Sequence, residues 1–167
     1  MPGCHTEEDC VVWCPDDRVL FPGDMPLTGP AVNERQIDQY MGTVCRRAAV
    51  LGIVRIVFGS GAARKGPDGF DKRLAEGQLV GHMKRWGDML AAARVTLVLE
   101  PLNKTETNIV NSVTEGAALV RAVHHPSVRL LADTYHMSME NEPPQSILDA
   151  GELLWHVHTA QRDGRLA

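Results

Sequence analysis

LVLEPLNKTETN, residues 97–108, runs from an apolar stretch straight into a carboxylate, and a proline follows that carboxylate at once. Together with Val95 and Thr96 the run reads VTLVL, the length and composition of a strand buried on both faces. An ionised Glu100 at the end of such a strand is costly to desolvate, so something must compensate it. A salt bridge, a hydrogen-bond network and a metal ion are the candidates.

Other runs of strand length lie at Cys10 to Cys14 (CVVWC), Ile53 to Phe58 (IVRIVF), Val128 to Ala132 (VRLLA) and Leu153 to Val157 (LLWHV). Segments with helical spacing separate them. Ile37, Tyr40, Met41, Val44, Ala48 and Leu51 recur at i, i+3, i+4, with Asn33 placed to cap the start and Gly52 the end. Leu79, Met83, Trp86 and Leu90 form a second stripe, whose regularity Gly77, Gly81 and Gly87 should weaken. Ser112 and Glu115 make an S-x-x-E capping box before Leu119, Val120 and Val123, and a short helix is expected after Pro143 and Pro144. FPGDMPLTGP, Phe21 to Pro30, reads as a structured turn leading to the first long helix.

Strand alternating with helix is the signature of parallel βαβ units, in a doubly wound sheet or a (β/α) barrel. The strand ends then matter, because all C-terminal ends of a parallel sheet lie on one side, where barrel active sites sit. The strand at 95–99 ends in Glu100, that at 128–132 in Asp133, that at 153–157 in His158, and that at 53–58 in the small, polar GSG of residues 59–61. Taken singly, these residues read as a solvated turn glutamate, a helix-capping aspartate in DTYHM and a satisfied core histidine. Taken together, two carboxylates and an imidazole are the donor set that Mn²⁺ prefers, with Mg²⁺, Co²⁺ or Zn²⁺ as competitors. A metal ion is therefore the expected compensation for Glu100.

Composition narrows the field. The chain has 167 residues, the length of one ordinary domain, with 44% hydrophobic and 23% charged residues, as in a soluble globular protein. A net charge of −4 leaves no positive excess to release counterions from a phosphate backbone, so nucleic acid is a poor partner. Cys4, Cys10, Cys14 and Cys45 are too few and too uneven for a disulfide scaffold or a usual zinc ribbon, and are read as reduced structural thiols. MPGCHTEEDC lacks an apolar signal core, and no window approaches the ~18 apolar residues of a membrane span. A cytoplasmic protein with no membrane partner is expected.

EPLNKTETN, LLADTYHM and HVHTA resemble the sugar-phosphate isomerase/epimerase group of the xylose-isomerase-like TIM barrels, especially ketose 3-epimerases of the tagatose and psicose type. FPGD followed by GP, and VFGSGAARKGPDGF, are similar to earlier strand-loop segments of that group, so the resemblance runs from about Phe21 to Ala160. It implies that Glu100, Asp133 and His158 are metal ligands and that Glu100 is also one of two glutamates shuttling a proton on the substrate carbon. It further implies that Glu106 hydrogen-bonds substrate hydroxyls, that His136 lies near the substrate carbonyl, and that Arg165, with Arg162 as rival, binds substrate. The implied fold is a partial (β/α)8 TIM barrel of about five parallel strands with outer helices. Residues 1–167 would form one such domain, truncated at both ends, because a whole barrel typically takes ~250 residues.

By this resemblance the five runs correspond to barrel strands three to seven, and the eighth strand would carry the fourth ligand, which is the second catalytic glutamate. The tail TAQRDGRLA offers only Asp163 as an acid. A base beside the carbon and a positive charge beside the oxygen stabilise an enediolate as it forms. The implied activity is metal-dependent isomerisation or epimerisation of a sugar or sugar phosphate in carbohydrate metabolism. With Glu100 alone the chain is expected to perform half of an epimerisation. A catalytically incomplete metal-binding fragment and an endonuclease IV-like metal-dependent nuclease are the alternatives, and a homo-oligomer is a candidate assembly. Arg64 and Lys65 in ARKGPDGF are placed to bind a sugar phosphate, or to be solvated.

Overall fold

A computed structural model describes residues 12–14, 19–21 and 27–160. Its strands are β1 (Val12–Cys14), β2 (Val19–Phe21), β3 (Arg55–Phe58), β4 (Thr96–Leu99), β5 (Val128–Asp133) and β6 (Leu154–His158), and they lie side by side in chain order in one sheet. The strands from β2 to β6 pair in parallel, giving the five-stranded parallel sheet of a partial TIM barrel. They are not quite the five runs that the sequence marks out. The Cys10 to Cys14 run forms β1, which pairs antiparallel with β2, so β2 takes the first parallel place. The reason is the connection: only Pro15 to Arg18 separates β1 from β2, which suffices for a hairpin, whereas a parallel return needs a dozen residues or more.

The helices form where the periodicity places them. The first, α1 (Glu34–Leu51), starts at Asn33, whose side chain accepts from the Gln36 amide, and stops at Gly52, whose φ of 67° suits a residue without a Cβ. After a single turn α2 (Gly61–Arg64), the helix α3 (Lys72–Ala93) runs 22 residues without interruption despite its glycines. At Gly87 the missing side chain is required, since a Cβ would stand 2.6 Å from the His125 ring. α4 (Val113–Val123) has half of the expected capping box: the Glu115 amide donates to Ser112 Oγ at 3.0 Å, while the Glu115 carboxylate accepts from Asn111 at 2.7 Å. α5 (Thr134–Met139) follows β5 directly, and α6 (Gln145–Ala150) is the short helix after the two prolines.

Alternation along the strands divides the interior. Ile56, Phe58, Leu97, Leu99, Leu130 and Ala132 pack with Ile37, Met41, Leu79, Met83, Trp86 and Val120 of the helices. Val57, Val98 and Leu131 form a separate cluster on the opposite face. Glu100 and Asp133 lie two residues beyond Val98 and Leu131, and Asp133 is in register with His158. The strand ends are thus aligned before any side chain is considered.

Candidate functional site

Glu100 and Asp133 are each only 6% exposed, so the turn-residue reading of Glu100 fails and the question of its compensation is real. His158 Nδ1 lies 2.9 Å from Glu100 Oε1 and 3.9 Å from Asp133 Oδ2. One ligand atom from each of Glu100, Asp133 and His158 falls within 4.8 Å of the others. The hydrogen-bond and metal readings thus meet at one place. Asp133 serves twice: Oδ1 accepts from the Tyr135 amide at 2.7 Å and caps α5, leaving Oδ2 turned to the two histidines His136 and His158. The other oxygen of Glu100 rests where Gly59 has no side chain, and a Cβ on Gly59 would collide with Oε2.

The donor set suits a divalent ion. Two carboxylates and one imidazole, contributed by the ends of adjacent strands, leave coordination positions open, as catalytic sites require.

Beside this cluster stands His136, 4% exposed. Its Nδ1 accepts from the Asn103 amide at 3.1 Å and from Asn103 Nδ2 at 2.9 Å, so the ring carries its proton on Nε2, 3.9 Å from Asp133 Oδ2. Glu106 Oε1 accepts from Asn103 Nδ2 at 3.1 Å, and its side chain is 38% exposed. Asn103 therefore joins both residues that the resemblance associates with substrate. It was not singled out from the sequence, although it stands in the same EPLN run. A fully buried asparagine between a glutamate and a proposed ligand set is the signal that marks it. Arg162 and Arg165 lie outside the described residues.

Two neighbouring segments brace the loop after β4. Gly66 and Asn108 exchange hydrogen bonds of 2.9 Å, and Gly61 abuts the Glu106 carbonyl so closely that a Cβ would stand 2.9 Å from it. Within the loop, Leu102 N donates to Val110 O, and Asn111 Nδ2 donates to Leu102 O and Thr107 O at 2.9 Å. Val110 holds a φ of 63°, unusual for a β-branched residue and kept there by complete burial. Arg64, expected as a phosphate ligand or a solvated residue, is instead wholly buried, whereas Lys65 is exposed. Burial pushes the Arg64 guanidinium down to about 10, against the pull of Glu100 and Glu106.

The profile described as Xylose isomerase-like TIM barrel matches residues 10–167. An L-ribulose 3-epimerase from Methylomonas sp. is 40% identical over 83 residues, which are 49% of this chain and 29% of that protein. A D-psicose 3-epimerase from Agrobacterium fabrum is 36% identical over 73 residues, 43% of this chain and 25% of that protein. The crystal structure of a D-psicose 3-epimerase in the presence of D-fructose superposes with a TM-score of 0.77 at 23% identity, over 87% of this chain and 55% of that one. The chain thus spans little more than half of that structural relative, and the aligned stretches are under a third of the two sequence relatives. The aligned strands, the outer helices and the profile match agree: this chain belongs to the xylose isomerase-like TIM barrel family.

Proposed function

We infer that this chain carries the metal-binding part of a sugar isomerase or epimerase site, acting by proton transfer through an enediolate of the substrate. The observation that carries this reading is the convergence of Glu100, Asp133 and His158 within 4.8 Å at one end of the sheet. These three residues would hold a divalent ion, Mn²⁺ by preference, and the bound ion would supply positive charge at the substrate oxygen. Glu100 would be the base that takes the proton from the neighbouring carbon. His136, its proton fixed on Nε2 by Asn103, would donate a hydrogen bond to a substrate oxygen, and Glu106 would accept from a hydroxyl. The ketose 3-epimerases among the relatives support a ketose as substrate. On this reading the base for the opposite face of the carbon comes from outside residues 1–167, and Arg165 or Arg162 remains the proposed substrate arginine.

The test separates proton removal from net epimerisation. With Mn²⁺ present, a ketose panel in D₂O is expected to show deuterium incorporation beside the carbonyl, with little or no inverted product. Glu100→Gln should reduce that exchange on the order of 10²–10⁴-fold. Absence of Mn²⁺ binding in calorimetry, or exchange that persists in Glu100→Gln, overturns the assignment.

A further inference from the structure

Arg64 is the residue whose position the reaction scheme leaves unexplained. It is 0% exposed, yet Nη1 and Nη2 have no hydrogen-bond partner among the described residues. Its Nε donates to the Ser60 carbonyl at 3.1 Å, its guanidinium lies 5.4 Å from the centre of the Phe58 ring, and its carbonyl accepts from Thr28 Oγ1 at 3.0 Å. The side chain is thus held at two points and its backbone at a third, none of which neutralises the guanidinium. A buried, unneutralised cation is costly and persists where a nearby negative site offsets it. The residues just before it in the chain meet that site directly: Gly59 abuts the Glu100 carboxylate, and Gly61 abuts the backbone of Glu106.

We propose that Arg64 is a positioning residue: the fixed counter-charge of the acidic site, which balances Glu100 and Glu106 from within the protein and fits the site to an uncharged sugar. This rests on the metal-dependent reading above. A divalent ion leaves one of the three carboxylates Glu100, Glu106 and Asp133 unbalanced, and Arg64 supplies the remaining positive charge. With the ion bound, the charges of these residues of the chain and of the ion then sum to zero. Sealed nitrogens cannot reach a phosphate without opening the loop, so the guanidinium acts through its field. The same field opposes a second cation, so Arg64 weakens metal binding while it stabilises the metal-free site.

Three variants decide this: Arg64→Met, Arg64→Lys and the pair Arg64→Met with Glu100→Gln. By calorimetry Arg64→Met should bind Mn²⁺ on the order of three- to tenfold more tightly than the unsubstituted chain, and Arg64→Lys within about twofold. In urea unfolding, Arg64→Met should shift the equilibrium at least about fivefold less in the Glu100→Gln background than alone, because the charge it opposed is gone. If Arg64→Met does not fold by itself, the paired variant should restore folding. Mn²⁺ affinity that is unchanged or weaker in Arg64→Met, or a paired variant no better than the single one, overturns the proposal. Loss of sugar-phosphate binding with Mn²⁺ affinity intact would assign Arg64 to phosphate and overturn it equally. A chain that binds no Mn²⁺ at all refutes the metal reading, and the unfolding comparison still decides Arg64.

Discussion

Gly59 shows how little space the site allows. Any side chain there meets Glu100 Oε2, and the carboxylate could yield only by turning away from His158, to which it is hydrogen-bonded at 2.9 Å. Gly59→Ala is therefore expected to leave the sheet intact, by near-UV circular dichroism, while weakening Mn²⁺ binding on the order of 10–100-fold in calorimetry. Glu100, Asp133 and His158 were legible in the sequence because each immediately follows or closes a strand, so strand assignment alone aligns them. Asn103 and Arg64 were not. Their placement depends on which loops face each other across 33 and 36 residues, as the Asn103 to His136 and the Thr28 to Arg64 carbonyl hydrogen bonds show, and no local pattern encodes that.

Among the elements, the loop at 27–29 is tied to α3 by polar side chains. Gln78 exchanges hydrogen bonds with Gly29 at 2.8 and 2.9 Å, and His82 Nε2 lies 2.9 Å from the Leu27 carbonyl. Arg85 Nη2 occupies the other ring nitrogen at 2.7 Å, so the ring is neutral with its proton on Nε2. Burial holds the His82 pKa below the ordinary histidine value, and Arg85 adds to this against the Leu27 carbonyl, Glu34 and Asp38. A depressed histidine takes up its proton first in the unfolded chain, so stability should fall as pH drops from ~6.5. His82→Gln, which keeps a donor for Leu27, should flatten that dependence below about pH 6.5, by up to ~1.4 kcal/mol per pH unit, in urea titrations. The caps of α1 and α4 were readable because their bonds are made within a few residues of sequence. β2 was missed because three residues, Val19–Phe21, carry no period, and β1 was misdirected because a hairpin and a parallel strand share the same apolar run.

For the molecule as a whole, we propose that residues 1–167 act as one domain, consistent with a single main core shared by all the long helices. Its sheet has β6 at one margin, where Trp155 and Val157 are 49% and 43% exposed. Unpaired strand margins with apolar side chains invite association. Sedimentation of the chain should show concentration-dependent mass above the 18.3 kDa monomer, and Trp155→Lys with Val157→Lys should lower it. No helix among the described residues is long and apolar enough to cross a membrane. The parallel βαβ class was readable from alternation of strand and helix and the barrel from the resemblance, whereas the margin depends on what lies beside β6 and has no sequence signature.

The strand order carries one more consequence. Because β1 to β6 are neighbours in the order in which they occur in the chain, each new strand docks on the one made just before it. Nothing already placed has to be displaced as the polypeptide lengthens, and the sheet can grow from its N-terminal side during synthesis. Glu100, Asp133 and His158 then emerge in that sequence on successive strands, so the proposed ion site is completed only when β6 has docked. On the proposed metal reading, ion capture would be a late event in biogenesis, and an ion would protect a nascent chain only once residue 158 has left the ribosome.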